Sequence, residues 1–304
     1  MRRWCSPILA AVAVAASLVA APAGAFASAP VPALRVEGAV AAPAAFGMAD
    51  LSALASTTVQ VVEHHGRLAA VHTERAVALE TLVNLAQPVL PAAKNALLRV
   101  TVTARAPGHA PVTFALGELD PNFGNHPALL SVEEDGVALR APKLVVPGDA
   151  NTVRFADRVE RVVVGVANPS PTTPVVAGAV AVHHDGRDRV LRPRLLALLP
   201  ARTVVVSFLA GTTAQQHVET GPNLSVALAA AGVHLRSDTW VAAVGSDGYV
   251  AVVTPAEAFV GGRTLLLSTA EDGAHLDQPR LVTGGDVKGG RYVSLVVDLV
   301  VGEG

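Results

Sequence analysis

A short basic, glycine-rich segment near the end of the chain has the residue types for binding an anion. Lys288, Gly289, Gly290 and Arg291 stand next to one another. Two glycines let backbone N–H groups come close to a ligand, and the lysine and arginine add positive charge. The segment therefore predicts a site for an anionic group. The alternative interpretation is a solvated glycine turn that carries two surface cations.

Histidines are the other candidates for chemistry. His72 and His217 occupy matching positions in a repeated pattern, which favours either a hydrogen-bonding role in packing or a role facing a ligand. His64 and His65 lie close to His72, and three imidazoles are a usual zinc or copper ligand set. Neighbouring strand residues point to opposite faces, so we predict no metal site and keep a histidine-based metal site as the alternative. No motif of nucleophilic or acid–base catalysis stands out, and we predict no catalytic residue.

The candidate residues belong to a sequence that repeats itself. Residues 281–301 read LVTGGDVKGGRYVSLVVDLVV, and residues 144–164 read LVVPGDANTVRFADRVERVVV. Each has a strand pattern, a Gly-Asp turn, an arginine and a second strand. The offset that superposes the two turns also superposes Arg154 on Arg291. Further blocks recur in the same order ahead of both stretches, so the chain is predicted to contain one module twice.

Four acidic residues recur with this repeat. Glu118 and Glu257 match each other ahead of a short helix, where an acidic side chain favours the helix N-terminus. Asp149 and Asp286 each follow a glycine and are predicted to cap a turn by hydrogen bonds from side chain to backbone. None of the four is predicted to take part in a reaction.

The hydrophobic periodicity indicates many strands and one clear helix per module. Residues 77–86 and 222–231 have helical spacing, and the second stretch begins at a proline and stops before a glycine. This pattern predicts an α+β fold with β-rich mixed sheets. Residues 167–174 (ANPSPTTP) read as a linker. The predicted organisation is a signal peptide at 1–25, a first module at 26–166, the linker at 167–174 and a second module at 175–304.

The beginning of the sequence has the pattern of an export signal. Arg2 and Arg3 precede an apolar run at residues 8–21, and residues 23–25 read AGA, a small-x-small cleavage site. The run is short for a membrane span, so no transmembrane segment is expected after cleavage. We therefore predict an exported protein, periplasmic or extracellular. Cys5 is the single cysteine of the chain, and cleavage would leave a protein without a thiol. The net charge of −2 does not favour a nucleic-acid partner.

The order of motifs in the second module resembles a known family. TVVVSFLAGT is followed by H-x3-G-x2-L-x3-L-x2-A-G-V, SDGYVAVV, LLLSTAEDG and PRLVTGGDVKGGRYV. This order resembles the oxidoreductase molybdopterin-binding domain of the sulfite oxidase type, in a tandem duplication that covers nearly the whole chain after residue 25. The resemblance implies a mixed, β-rich fold that binds molybdopterin among loops at strand ends. It also implies that Lys288 to Arg291 approach the pterin phosphate, with Gly211 and His217 nearby.

The resemblance fails at the metal ligand. Enzymes of the family hold molybdenum by a cysteine thiolate in a C-x-G segment after the strand that matches TVVVSF. The equivalent positions here are Leu209, before Ala210 and Gly211, and His64, before His65. Neither side chain supplies the soft sulfur ligand. The predicted function is a module that binds a pterin-like anion or a protein partner without molybdenum catalysis. The alternatives are a genuine molybdopterin oxidoreductase and a periplasmic histidine-based metal-binding module.

Overall fold

Each half of the chain builds the same series of elements. The computed structural model describes residues 33–65, with His65 by its backbone alone, and residues 68–304. The first half contains β1 Leu34–Gly38, β2 Ala44–Phe46, α1 Met48–Leu54, β3 Thr57–His65, β4 Leu68–Ala78, α2 Leu79–Ala86, β5 Val100–Arg105, β6 Val112–Ala115, α3 Leu116–Leu119, β7 Leu129–Glu134, β8 Val137–Val145 and β9 Arg161–Val166.

The second half repeats this order. It contains β10 Val180–His184, β11 Arg187–Leu191, α4 Pro193–Leu196, β12 Ala201–Ala210, β13 Thr213–Pro222, α5 Leu224–Ala230, β14 Thr239–Gly245, β15 Val250–Val253, α6 Pro255–Phe259, β16 Thr264–Glu271, β17 Ala274–Gly284 and β18 Val296–Glu303. Short 3-10 helices lie at Ala96–Arg99, Thr152–Arg154 and Gly289–Arg291. The last two of these occupy matching places in the halves.

The strands form two pairs of sheets. The five-stranded sheets have the orders β2-β1-β9-β5-β6 and β11-β10-β18-β14-β15. The four-stranded sheets have the orders β3-β4-β7-β8 and β12-β13-β16-β17. The pairs β1–β9 and β10–β18 are parallel, and the remaining neighbours are antiparallel. The β-rich prediction with mixed sheets is therefore confirmed, and the duplicated topology matches the repeat in the sequence.

Each half packs its own core, made mainly of valine, leucine and alanine. In the first half, α2 places Leu82 and Val83 against the five-stranded sheet, where Val102 is also fully buried. In the second half, Leu228 of α5 and Val241 of β14 have the equivalent roles. Aliphatic side chains of this kind fill the space between layers without polar atoms that would need partners.

The two halves meet through reciprocal contacts. The amide of Ala150 donates to the carbonyl of Val260 at 2.9 Å, and the amide of Val287 donates to the carbonyl of Phe123 at 2.8 Å. Ala150 lies four residues before Arg154, and Val287 lies four residues before Arg291. The two hydrogen bonds are therefore equivalent, with the roles of the halves exchanged. The described residues of both halves belong to one compact unit.

The structure corrects two element boundaries. The predicted helix at 77–86 begins at Leu79, because residues 68–78 form strand β4. The predicted helix at 222–231 begins at Leu224, because Pro222 is the last residue of β13. Its end agrees with the prediction: Gly232 has a φ of 82°, the left-handed conformation that follows a helix.

Several predictions concern segments outside the described helices and strands. The predicted signal peptide at 1–25 and Cys5 lie outside the described residues. Residues 167–174 contain no helix or strand, and the domain boundaries remain a prediction. Across the described ranges, no helix has both the length and the apolar character to cross a membrane.

Candidate anion-binding site

Arg291, the last residue of the predicted anion segment, is fully buried. Its Nε and Nη2 donate to the two carboxylate oxygens of Asp286 at 2.8 and 2.5 Å, and its Nη1 donates to Oε2 of Glu257 at 2.7 Å. This forked geometry is the strongest form of a charge-assisted pair. Asp286 does not cap its turn as predicted, since both of its oxygens hold the arginine. Arg291 therefore carries a structural ion pair and does not face a solvent cleft.

Arg154 forms the same cluster in the first half. Its Nε and Nη2 donate to Asp149 at 2.8 and 2.6 Å, and its Nη1 donates to Oε1 of Glu118 at 2.6 Å. His126 adds a further contact, with Nδ1 at 3.4 Å from Glu118 and Nε2 at 3.5 Å from Asp149. Asp149 likewise serves the arginine and not a turn. The recurring Arg, Asp and Glu of the sequence are thus one buried cluster, built twice.

The two glutamates differ in the direction of their pKa shifts. Burial would raise the pKa of Glu118, but Arg154 and the imidazole of His126 outweigh it and hold that pKa at about 2. Burial raises the pKa of Glu257 to about 7, despite Arg291, and the negative charge of Glu118 adds to the rise. The hydroxyl of Thr254, which precedes α6, lies 3.3 Å from Glu118 and donates to it across the two halves. The clusters therefore interact with each other.

The glycines of the predicted segment are packed against aromatic rings. A Cβ at Gly289 would lie 2.5 Å from a ring carbon of Phe208, and one at Gly290 would lie 2.3 Å from a ring carbon of Phe123. The carbonyl of Gly290 accepts a hydrogen bond of 2.5 Å from the hydroxyl of Tyr249. These glycines allow close packing of side chains within the protein, where the prediction expected a close approach of a ligand.

Lys288 and Gly211 lie near the turn of the β12–β13 hairpin. Leu209 forms a parallel bridge with Lys288, and Gly211 follows two residues later in the exposed turn. The ammonium of Lys288 donates to the side-chain oxygen of Asn122 at 2.8 Å. The structure thus brings Lys288, Gly289 and Gly211 to one end of the hairpin, while Arg291 lies in the buried cluster.

His217 and His72 each bind the aspartate of a tight turn. Nδ1 of His72 lies 2.8 Å from Asp135, and Nδ1 of His217 lies 3.2 Å from Asp272. The pKa of His72 is raised, mainly because of its hydrogen bond with Asp135. Both aspartates have a positive φ and precede a glycine, as Asp-Gly turns require. Of the two roles that the sequence left open, hydrogen bonding within the fold describes both histidines. The ring of His217 also lies 6.0 Å from that of Phe208, beside the predicted segment.

A second ionic network occurs once in each of the two four-stranded sheets. Lys143 pairs with Glu63, Glu74 and Glu134, and Ser131 donates to Glu74 at 2.5 Å. The three glutamates lie close enough together to hold a metal ion, and the ammonium of Lys143 lies within ion-pair distance of all three. In the second half, Arg280 pairs with Glu219 and Glu271, while Ser268 donates to Glu219 at 2.6 Å. These equivalent contacts indicate that the network has the same structural role in both halves.

The positions matching the family's cysteine are structurally equivalent. His64 pairs with Ala69 and Leu209 pairs with Ala214, each one residue pair before the end of its hairpin. His64 and His72 lie on opposite faces of the first hairpin, because His72 pairs with Val61 and side chains alternate. The arrangement does not bring those two histidines together as metal ligands.

The sequence missed a polar cavity of about 290 Å³ in the second half. Arg202 of β12 and Arg263 of the loop before β16 supply two guanidinium groups, and the half-exposed ring of Phe259 forms part of the wall. The remaining lining residues are Asn223, Ser225, Ala258, Gly262, Thr264 and Leu265. Arg263 also lies 3.8 Å from Asp286, at the start of the loop that carries the predicted segment.

Comparisons with known proteins give a distant structural likeness. No family model matches the sequence, and no curated protein matches it. Among solved structures, the crystal structure of the sulfane dehydrogenase SoxCD from Paracoccus pantotrophus is similar, with 14% sequence identity and a TM-score of 0.35. The match covers 84% of this chain and 63% of the SoxCD chain. This chain therefore spans less than two thirds of the length of the SoxCD chain.

The residues present do not fit molybdopterin at the predicted position. Leu209 offers no sulfur to a metal, and the buried guanidinium of Arg291 is held by the carboxylates of Asp286 and Glu257. The space that a ligand would use beside Gly289 and Gly290 is filled by phenylalanine rings. Molybdenum chemistry therefore has no ligand set at this end of the hairpin.

Proposed function

We propose that this chain is an exported binding protein for a small, planar anion, built from two modules of the sulfite oxidase type without molybdenum redox catalysis. The cavity between Arg202 and Arg263 is the observation that carries the proposal. It combines two guanidinium groups with an exposed aromatic ring and several hydroxyl and amide groups. Pterin-like anions have the matching chemistry, since a flat ring system stacks on phenylalanine and an acidic group pairs with arginine.

The charges of the cavity favour an anion. Arg202 is exposed and forms no ion pair within the described residues. Arg263 also lines the cavity; it is mostly buried, donates to the carbonyl of Gly124 and lies 3.8 Å from Asp286. The volume of about 290 Å³ lies at the lower limit of the roughly 300–1,000 Å³ of ordinary small-molecule pockets. A single small heterocycle therefore suits it.

The end of the β12–β13 hairpin is a less favourable place for the same ligand. An anion beside Lys288 and Gly211 would approach His217, whose ring is held between Glu271 and Asp272 at 3.2 Å from each. Those carboxylates oppose a second negative charge. We therefore place the proposed ligand at the arginine cavity and assign His217, Lys288, Gly289 and Gly290 to the support of the loop.

Titration with pterin-6-carboxylate, followed by its fluorescence anisotropy, tests the proposal. Binding should saturate, and Arg202→Gln should weaken it about tenfold or more, because a charge-assisted hydrogen bond is lost. Phe259→Ala should also weaken it. Arg140→Gln, at an exposed strand position of the first half, is the matched control and should leave binding unchanged. Equal affinity for wild type and Arg202→Gln would reject the site.

Metal and pterin analysis of the protein from its native host tests the exclusion of molybdenum catalysis. We expect no stoichiometric molybdenum. Stoichiometric molybdenum together with an oxidised pterin fluorophore would establish the oxidoreductase alternative. A folded protein that binds neither pterin-6-carboxylate nor metal would favour the remaining alternative of a protein partner. N-terminal sequencing of the exported form would show whether cleavage follows residue 25.

A further inference from the structure

A second polar cavity lies at the other end of α5. Its volume is about 190 Å³, and it is enclosed by the β10–β11 hairpin and the turn that follows α5. His184 pairs with Arg187 across the hairpin, and Val182 pairs with Arg189, so these four side chains lie on one face. Val182 forms the buried floor, and His234 completes the wall from the segment after the helix.

The two arginines of this cavity are exposed and lack an acidic partner among the described residues. Arg187 and Arg189 form no ion pair within the described part of the chain, although other arginines of this half are paired. Nε2 of His184 is buried and has no hydrogen-bond partner, and the carboxylate of Asp185 lies 3.7 Å from it. A buried polar nitrogen without a partner is uncommon in folded proteins. Two exposed guanidinium groups and this imidazole nitrogen are therefore available to an anionic ligand.

The neighbouring helix end does not supply an acceptor for these groups. Near the end of α5, the carbonyl groups of Leu228 and Ala229 already accept hydrogen bonds from the amides of Val233 and Gly232, respectively. Asp185 offers one negative charge against two arginines. The cavity therefore keeps an excess of positive charge and of hydrogen-bond donors.

We propose that the cavity formed by His184, Arg187, Arg189 and His234 binds a tetrahedral oxyanion, as free phosphate or sulfate or as a phosphate ester. Two planar guanidinium groups on alternate residues of one strand match the several oxygens of such a group. The volume is below the roughly 300–1,000 Å³ of ordinary small-molecule pockets, which suits a single oxyanion group. This site shares no lining residue with the arginine cavity at the start of α5 and does not depend on it.

Nuclear magnetic resonance of the histidine side chains gives a direct test with the full chain. Inorganic phosphate, added through the millimolar range at constant pH and ionic strength, should shift the imidazole signals of His184 and His234. The imidazole of His275, which lies outside the cavity, should not respond. Parallel titrations with sulfate and with glucose 6-phosphate distinguish free oxyanions from a phosphate ester, and binding of any of the three supports the site.

Charge-removing variants complete the test. Arg187→Gln and Arg189→Gln should each weaken phosphate binding about tenfold or more, and the double variant should abolish the shifts. Arg140→Gln should bind as the wild type does, and thermal unfolding confirms that each variant is folded. Arg202→Gln should also leave this site intact, which separates it from the pterin-like ligand. Absence of any imidazole shift in the wild type, or shifts that persist in the folded double variant, would overturn the proposal.

Discussion

Arg291 of the second half lies directly over Gly117 of the first. A Cβ placed at Gly117 would be 2.8 Å from Cδ of Arg291 and 2.7 Å from a methyl group of Leu98. In the same way, a Cβ at Gly261 would be 2.9 Å from Nη2 of Arg154. Each buried arginine is therefore enclosed by a glycine of the opposite half, and the interface between the halves is built around the two ion clusters.

Gly117→Ala should destabilise the protein by about 1–3 kcal/mol, because an added methyl group overpacks a close contact. Chemical denaturation measures the loss. Gly47→Ala is the matched control, since its Cβ would meet only the flexible end of Asp50 at 3.3 Å. If the two variants lose the same small amount, the contact between Gly117 and Arg291 is looser than described.

Arg291→Met should lower the free energy of unfolding by about 3–5 kcal/mol, because it leaves Asp286 and Glu257 buried without their cation. Replacing both acids as well, by Asp286→Asn and Glu257→Gln, should recover part of that loss. Denaturation of the single and triple variants measures the coupling. A loss below about 1 kcal/mol for Arg291→Met would be typical of an exposed ion pair and would contradict the buried cluster.

The raised pKa of Glu257 predicts a pH dependence of stability. Its pKa is about 7 in the folded protein and about 4.5 when unfolded, so the folded state holds the proton over the window between them. Stability from this group is therefore greatest below about pH 4.5, falls as the pH rises through the window, and is constant above it. The fall should be of order 1–3 kcal/mol.

Glu257→Gln removes the titrating group and should flatten this part of the pH profile. Glu303→Gln, at an exposed carboxylate near the end of the chain, is the control and should keep the wild-type slope. Free energies of unfolding measured from pH 4.5 to 7.5 decide the matter. An unchanged slope in Glu257→Gln would assign the pH dependence to other groups.

The hydrogen bond between His72 and Asp135 predicts a histidine that titrates above its ordinary value. Asp135→Asn should lower the pKa of His72 toward 6.5, because it removes the charged acceptor. Imidazole chemical shifts followed against pH measure the change. Asp185→Asn, at the equivalent position of another Asp-Gly turn, should leave His72 unaltered.

The repeat makes most of the fold predictable, but the sequence pattern does not indicate strand β4. Its inward side carries His72 and Glu74, which belong to polar networks, so the usual alternation of apolar and polar residues is absent. Charged side chains that point inward remove the signal on which strand prediction depends. As a result, the helix predicted at 77–86 begins two residues too early, within β4.

The candidate site was harder to predict than the fold. The sequence matches Arg154 with Arg291. It does not show that both arginines are buried, or that each pairs with a glutamate more than thirty residues away. The joint recurrence of Arg, Asp and Glu in the two halves was the available signal. The cavity of Arg202 and Arg263 left no local pattern at all, because its walls come from three separate segments.

The reciprocal backbone hydrogen bonds between Ala150 and Val260 and between Val287 and Phe123 have the form of an isologous dimer interface, in which each partner offers the same surface. Here both partners are covalently joined. The linkage turns association into an intramolecular step at a high effective concentration. The protein therefore keeps its paired state at any dilution, and the two copies are free to diverge, since neither has to remain complementary to itself.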